Sequence, residues 1–160
     1  MRSFFGILLF AAAIQAAPAM AQTSASPLLG TWAVDVTRLP MPAEARPKSV
    51  TFTFRDAGAG KWTTNVDIIG GDGSERHMTS TYALDGTASE IHGDMVEADT
   101  GAVKIPVPNV MVLELVKGGA PASTRVYTVA ADGKTMIETA AYVGGDGKPV
   151  MRTNYFNRVR

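Results

Sequence analysis

Two glutamates offer the most specific chemistry in this chain. Glu114 and Glu138 each stand among apolar neighbours, in Val112-Leu113-Glu114-Leu115 and Met136-Ile137-Glu138-Thr139. A carboxylate in such a run has two readings. Turned to solvent it is ordinary surface. Turned inward and desolvated, it is a candidate general acid or a hydrogen-bonding anchor for the polar group of a ligand. Tyr82, Tyr127, Tyr142 and Tyr155 recur in four different runs of strand-forming residues. Such aromatics build cores, yet inside a hollow sheet some would present their hydroxyls to a guest. Glu114, Glu138, Tyr82, Tyr127 and Tyr142 are the candidate ligand-binding residues on this reading.

Other chemistries lack their parts. The chain has no cysteine, which closes thiolate catalysis and cysteine metal ligation. His77 lies in a run beside Thr79 and Thr81, and His92 near Glu90 and Asp94. A zinc site needs three or four converging ligands, and the close spacing of such sites is missing, so no metal is expected. No Gly-x-Ser-x-Gly elbow accompanies either histidine, and no catalytic set is assembled. Gly58-Ala59-Gly60-Lys61 has neither the glycine spacing nor the following Ser/Thr of a phosphate loop, and leads into a strand. The Asp-Gly steps lack the alternating ligands and closing Glu of a calcium loop. No cofactor is expected.

The elements that must position these residues are short and extended. Strands are expected at 30–37, 49–55, 61–69, 75–84, 109–116, 124–130, 135–143 and 150–159, with a weaker one within 89–104. Alternation supports them: Val50, Phe52 and Phe54 share one face, Thr51, Thr53 and Arg55 the other. Trp32, Val34 and Val36 likewise oppose Thr31, Asp35 and Thr37. The run 109–116 is apolar on both faces apart from Glu114, which predicts cover on both sides. Asp72-Gly73, Asp85-Gly86, Asp132-Gly133 and Asp146-Gly147 each suit a tight hairpin turn. The sum is an all-β, antiparallel, up-and-down barrel of about eight to nine strands, a closure that removes exposed edges without disulfides. Residues 38–48, with Pro40, Pro42 and Pro47, and residues 85–108 are expected as long loops, either functional rims or plain insertions.

Residues 1–21 have the pattern of an export signal: Arg2, an apolar run from Phe4 to Ala17, and Ala19-Met20-Ala21 before a cleavage point at Gln22. The run is shorter than the roughly 20 residues of a membrane-spanning helix. The expected organisation is a leader over 1–21, a flexible start over 22–27, and one domain over 28–160, periplasmic or secreted. The whole chain has 15 basic and 15 acidic side chains, and the leader takes only Arg2, so the remainder carries a balance of −1. That balance carries no electrostatic footprint for nucleic acid, and no membrane span is expected after cleavage.

Leu29-Gly30-Thr31-Trp32 near the start and Asn154-Tyr155-Phe156-Asn157-Arg158 near the end resemble the lipocalin, or wider calycin, pattern. Tyr82-Ala83-Leu84-Asp85-Gly86 and Val129-Ala130-Ala131-Asp132-Gly133-Lys134 resemble hairpins of small exported bacterial lipocalin-like proteins. The resemblance implies that Trp32 closes one end of the barrel beneath Arg158, with Arg152 and Arg160 as alternative partners, in structural rather than catalytic roles. It implies non-catalytic binding of a small apolar or amphipathic ligand in the barrel. An envelope enzyme using Glu114 or Glu138, and a protein-interaction module contacting partners through its proline-bearing loops, stand as the alternatives.

Overall fold

Alternating runs of β-branched and aromatic residues cannot satisfy their backbones alone; they must pair. In a computed structural model that describes residues 25–94 and 96–159, they do so in a single antiparallel sheet. Its strands are β1 (Gly30–Val34), β2 (Ser49–Gly58), β3 (Lys61–Ile69), β4 (Glu75–Ala83), β5 (Asp85–Glu90) and β6 (His92–Gly93). They continue with β7 (Thr100–Val107), β8 (Val110–Lys117), β9 (Ala120–Val129), β10 (Thr135–Val143) and β11 (Pro149–Arg158). The spatial order is β5-β7-β8-β9-β10-β11-β1-β2-β3-β4-β6. The export pattern over residues 1–21 lies outside the described residues. Among those described, no helix is long and apolar enough to cross a membrane.

The sheet curls into a nearly closed barrel, and one stretch of chain brings its edges together. β5 hydrogen-bonds to β7 at one end of the order, and β6, one residue further along, hydrogen-bonds to β4 at the other. Ser80 Oγ on β4 donates to the Glu90 carbonyl at 2.6 Å. Tyr82 of β4 packs on Gly101 of β7, where a Cβ would stand 2.9 Å from the phenol oxygen.

The barrel therefore has eleven strands rather than eight or nine. The difference lies in 85–108, expected as a loop with one weak strand, which holds β5, β6 and β7. Its polar, glycine-bearing composition hides strands whose pairing is dictated by the free edges of β4 and β7. Asp85-Gly86 is accordingly no hairpin turn. It sits at the irregular start of β5, where the register against β7 shifts. β1 also ends early, because the Asp35 carboxylate accepts from Thr37 N at 3.1 Å and Thr37 Oγ1 at 2.6 Å and turns the chain into a 3-10 turn. The outer face of β8 is half-buried by neighbouring side chains, not covered by a second layer.

The two ends of the barrel differ. At one, Trp32 is fully buried and its indole nitrogen donates to Leu28 O at 2.8 Å. Arg158, directly across the register from Trp32, holds its guanidinium carbon 4.1 Å from the ring centroid. Its nitrogens donate to the carbonyls of Leu29 at 2.8 Å, Gly133 at 2.6 Å, and Pro27. Arg152 sits toward the opposite end of β11, and Arg160 lies outside the described residues. Ser26 Oγ donates to Pro108 O at 2.6 Å, tying down the chain that enters this end. At the other end the proline-bearing segment 35–48 folds over the opening. Arg38 lies 3.2 Å above the Tyr155 ring on the outside, and Arg46 donates to the Met41 carbonyl at 3.1 Å.

Candidate functional site

Period-two alternation sends Met111, Leu113 and Leu115 of β8 inward, with Phe52 and Phe54 of β2 and Phe156 of β11. These side chains do not fill the interior. A cavity of about 530 Å³ remains, within the range of roughly 300–1,000 Å³ usual for small-molecule sites. Its aromatic wall is a cluster around Tyr127, whose ring centroid lies 6.1 Å from Phe52, 6.0 Å from Phe54 and 6.2 Å from Phe156. Leu39, Met41 and Pro47 of the covering segment line the cavity from above, so this loop forms part of its wall.

Glu138 is the polar centre of the wall. It is 1% exposed, and three donors surround its carboxylate. Arg125 Nη1 at 2.9 Å and Tyr127 Oη at 3.0 Å reach Oε1, and Asn154 Nδ2 reaches Oε2 at 2.5 Å. Strand register places them: Glu138 of β10 stands opposite Tyr127 of β9 on one side and Asn154 of β11 on the other. Arg125 also donates from Nε to Ser123 Oγ at 3.2 Å and pairs with the exposed Glu97 through Nη2. Burial alone would push the Arg125 guanidinium down, but the Glu138 and Glu97 carboxylates beside it hold the group above its ordinary value. Burial, then the Glu138 charge, pushes the Tyr127 phenol well up. Tyr127 is therefore a neutral donor at physiological pH.

The other candidates separate cleanly. Glu114 is on the outer face of β8, where it accepts from Thr124 Oγ1 of β9 at 2.5 Å; the expectation that it could point inward is corrected by its parity with Val112 and Val116. Tyr82 lines the cavity beside the seam, its phenol pushed up by burial and partly held back by Ser80. Tyr142 has the inward parity of Glu138 but stands nearer the open end, its ring centroid 6.0 Å from the Arg152 guanidinium carbon. His77 lies on the outer surface, its Nδ1 2.7 Å from Asp67 and its Nε2 3.6 Å from Glu75. No group of three or more potential metal ligands occurs among the described residues.

Arg125, Asn154 and Glu97 were not singled out by the sequence reading, and Arg152 only as a partner for Trp32. Two of them carried a usable signal: Arg125 shares parity with the aromatic Tyr127, and Asn154 with Phe156. Glu97 had none, because its segment is placed by contacts distant in sequence.

No family model and no curated protein matches the chain. Among solved structures, that of EF1p2_mFAP2b bound to DFHBI is similar to it, with a TM-score of 0.42 and 10% identity, covering 82% of this chain and 94% of that one.

Proposed function

We propose that this protein reversibly binds a small apolar or amphipathic molecule inside its barrel, without covalent chemistry. The observation that carries this reading is the hollow interior of about 530 Å³, walled by aliphatic and aromatic side chains in a chain long enough to have filled it. Glu138 favours binding over catalysis. Oε1 is shared by Arg125 and Tyr127 and Oε2 is held by Asn154, so the carboxylate is built into the barrel wall rather than presented alone to a substrate. The apolar run ending in Ala19-Met20-Ala21 supports action outside the cytoplasm, in the periplasm or beyond. Native mass spectrometry of the protein purified from its source, set against its denatured mass, tests the reading. A non-covalent mass excess lost on denaturation is expected. A bare mass that gains nothing from apolar small molecules would overturn it.

A further inference from the structure

Among the described residues, two buried side-chain atoms of the cavity wall lack a hydrogen-bond partner, and both belong to one strand. Asn154 is 8% exposed, and its NH₂ group faces Glu138, donating to Oε2. Asn154 Oδ1 is thereby turned away, buried and without a donor. Two residues along the same inward face of β11, Arg152 Nε is buried and without an acceptor. Both residues line the cavity. Buried polar atoms are nearly always paired, and here an acceptor and a charged donor are left open on residues whose Cα atoms lie about 7 Å apart along the strand.

The charges around the opening point the same way. Arg76 of β4 also borders the cavity, and neither it nor Arg152 has a carboxylate within ion-pair distance among the described residues. Of the acids in the same lining, Glu97 and Glu138 are ion-paired with Arg125, while Asp72 and Asp94 keep their charge but accept from neutral donors, Ser74 and the His77 amide, and neither pairs with Arg152. The open polar groups therefore ask for an anion at Arg152 and a hydrogen-bond donor at Asn154, while the wall beyond them, Phe52, Phe54 and Phe156, asks for an apolar body.

Resting on the binding function proposed above, we infer that the ligand is an amphipathic carboxylate carrying a hydroxyl or amide N–H a few atoms from its acid group. The carboxylate sits on Arg152 with Arg76 nearby, the hydroxyl or N–H donates to Asn154 Oδ1, and the tail lies against the phenylalanines. Calorimetric titration of the purified protein with 3-hydroxydecanoate, decanoate and 1-decanol near neutral pH tests this. Expected is binding in that order of strength, about three- to tenfold between the first two for one added hydrogen bond. Arg152→Met should weaken both acids by about tenfold or more and 1-decanol much less, and a circular-dichroism spectrum like that of the unchanged protein shows that the variant is folded. Arg152→Lys, which keeps the charge but loses Nε, should fall between. If 1-decanol binds as tightly as the acids and Arg152→Met changes nothing, the carboxylate inference fails while the binding function stands. If none of the three binds, the carboxylate inference fails, and the binding function fails with it only if native mass spectrometry also finds a bare mass.

Discussion

A carboxylate as deeply buried as Glu138 is stable only with its partners, so each partner is a point of failure. Removing one member of a buried ion pair typically costs about 3–5 kcal/mol because the other charge is stranded. Glu138→Ala should lose stability of that order in urea unfolding, and Glu138→Gln less, since an amide still accepts from Tyr127 or Asn154. Replacing both charges, Arg125→Met with Glu138→Leu, should cost clearly less than the two single changes added together, and a double-mutant cycle measures that coupling. Arg158 works differently: it covers Trp32 and gathers three carbonyls at the closed end. Arg158→Ala should cost about 1–3 kcal/mol from the lost stacking and hydrogen bonds, and quench or shift emission from the buried indole.

Among elements, the seam between β4 and β7 is the most vulnerable. Gly93 of β6 has φ +99°, and a Cβ there would stand 2.1 Å from the His77 carbonyl, so no side chain fits while β6 stays on β4. Gly93→Ala should detach β6, accelerating hydrogen exchange first at the Asp94 amide that donates to His77 O. Aspartates at turns and strand ends predict the pH response. Asp72, Asp85, Asp99 and Asp132 all titrate below the ordinary carboxylate range, chiefly through hydrogen bonds from nearby side chains and backbone amides. Depressed folded values mean that their stabilisation is present above about pH 4 and is lost as pH falls through those values. His77 is raised, first by its hydrogen bond to Asp67, so its contribution is complete below about pH 6.5 and fades as pH rises through the folded value. Denaturation midpoints measured from acid to mildly alkaline pH should fall on both sides of that window, and Asp67→Asn should remove much of the His77 shift seen by NMR titration.

For the whole molecule, the question of a hollow or filled barrel has a mechanical test. Val103 is 2% exposed and lines the cavity. Enlarging a side chain in a close-packed core usually costs about 1–3 kcal/mol. Val103→Phe should cost less than that here, because the ring can enter empty space, and it should weaken 1-decanol binding. A full core-type penalty would mean that the volume is not available to a guest. The covering segment 35–48 belongs to the same scale: it joins β1 to β2 and lies tightly against the neighbouring β3–β4 turn, where a Cβ on Gly71 would stand 3.1 Å from the Arg46 carbonyl.

Much of this was legible in the chain itself. The alternation of Val50, Phe52 and Phe54, and the Asp-Gly turns at 72, 132 and 146, specify antiparallel hairpins because face and turn geometry depend on residues a few positions apart. The lipocalin resemblance carried by Trp32 and Arg158 implied one closed end. Tertiary structure alone decided the rest. Glu114 and Glu138 occupy equally apolar runs, and only the register of each strand against its neighbours sends one to Thr124 on the surface and the other to Arg125 in the wall. Segment 85–93 has poor strand composition and becomes strand because two unpaired edges meet it from opposite ends of the sheet. The cavity, too, is absent from any local pattern. Side-chain parity is a property of one strand, whereas enclosed volume depends on how eleven strands curve around a common axis.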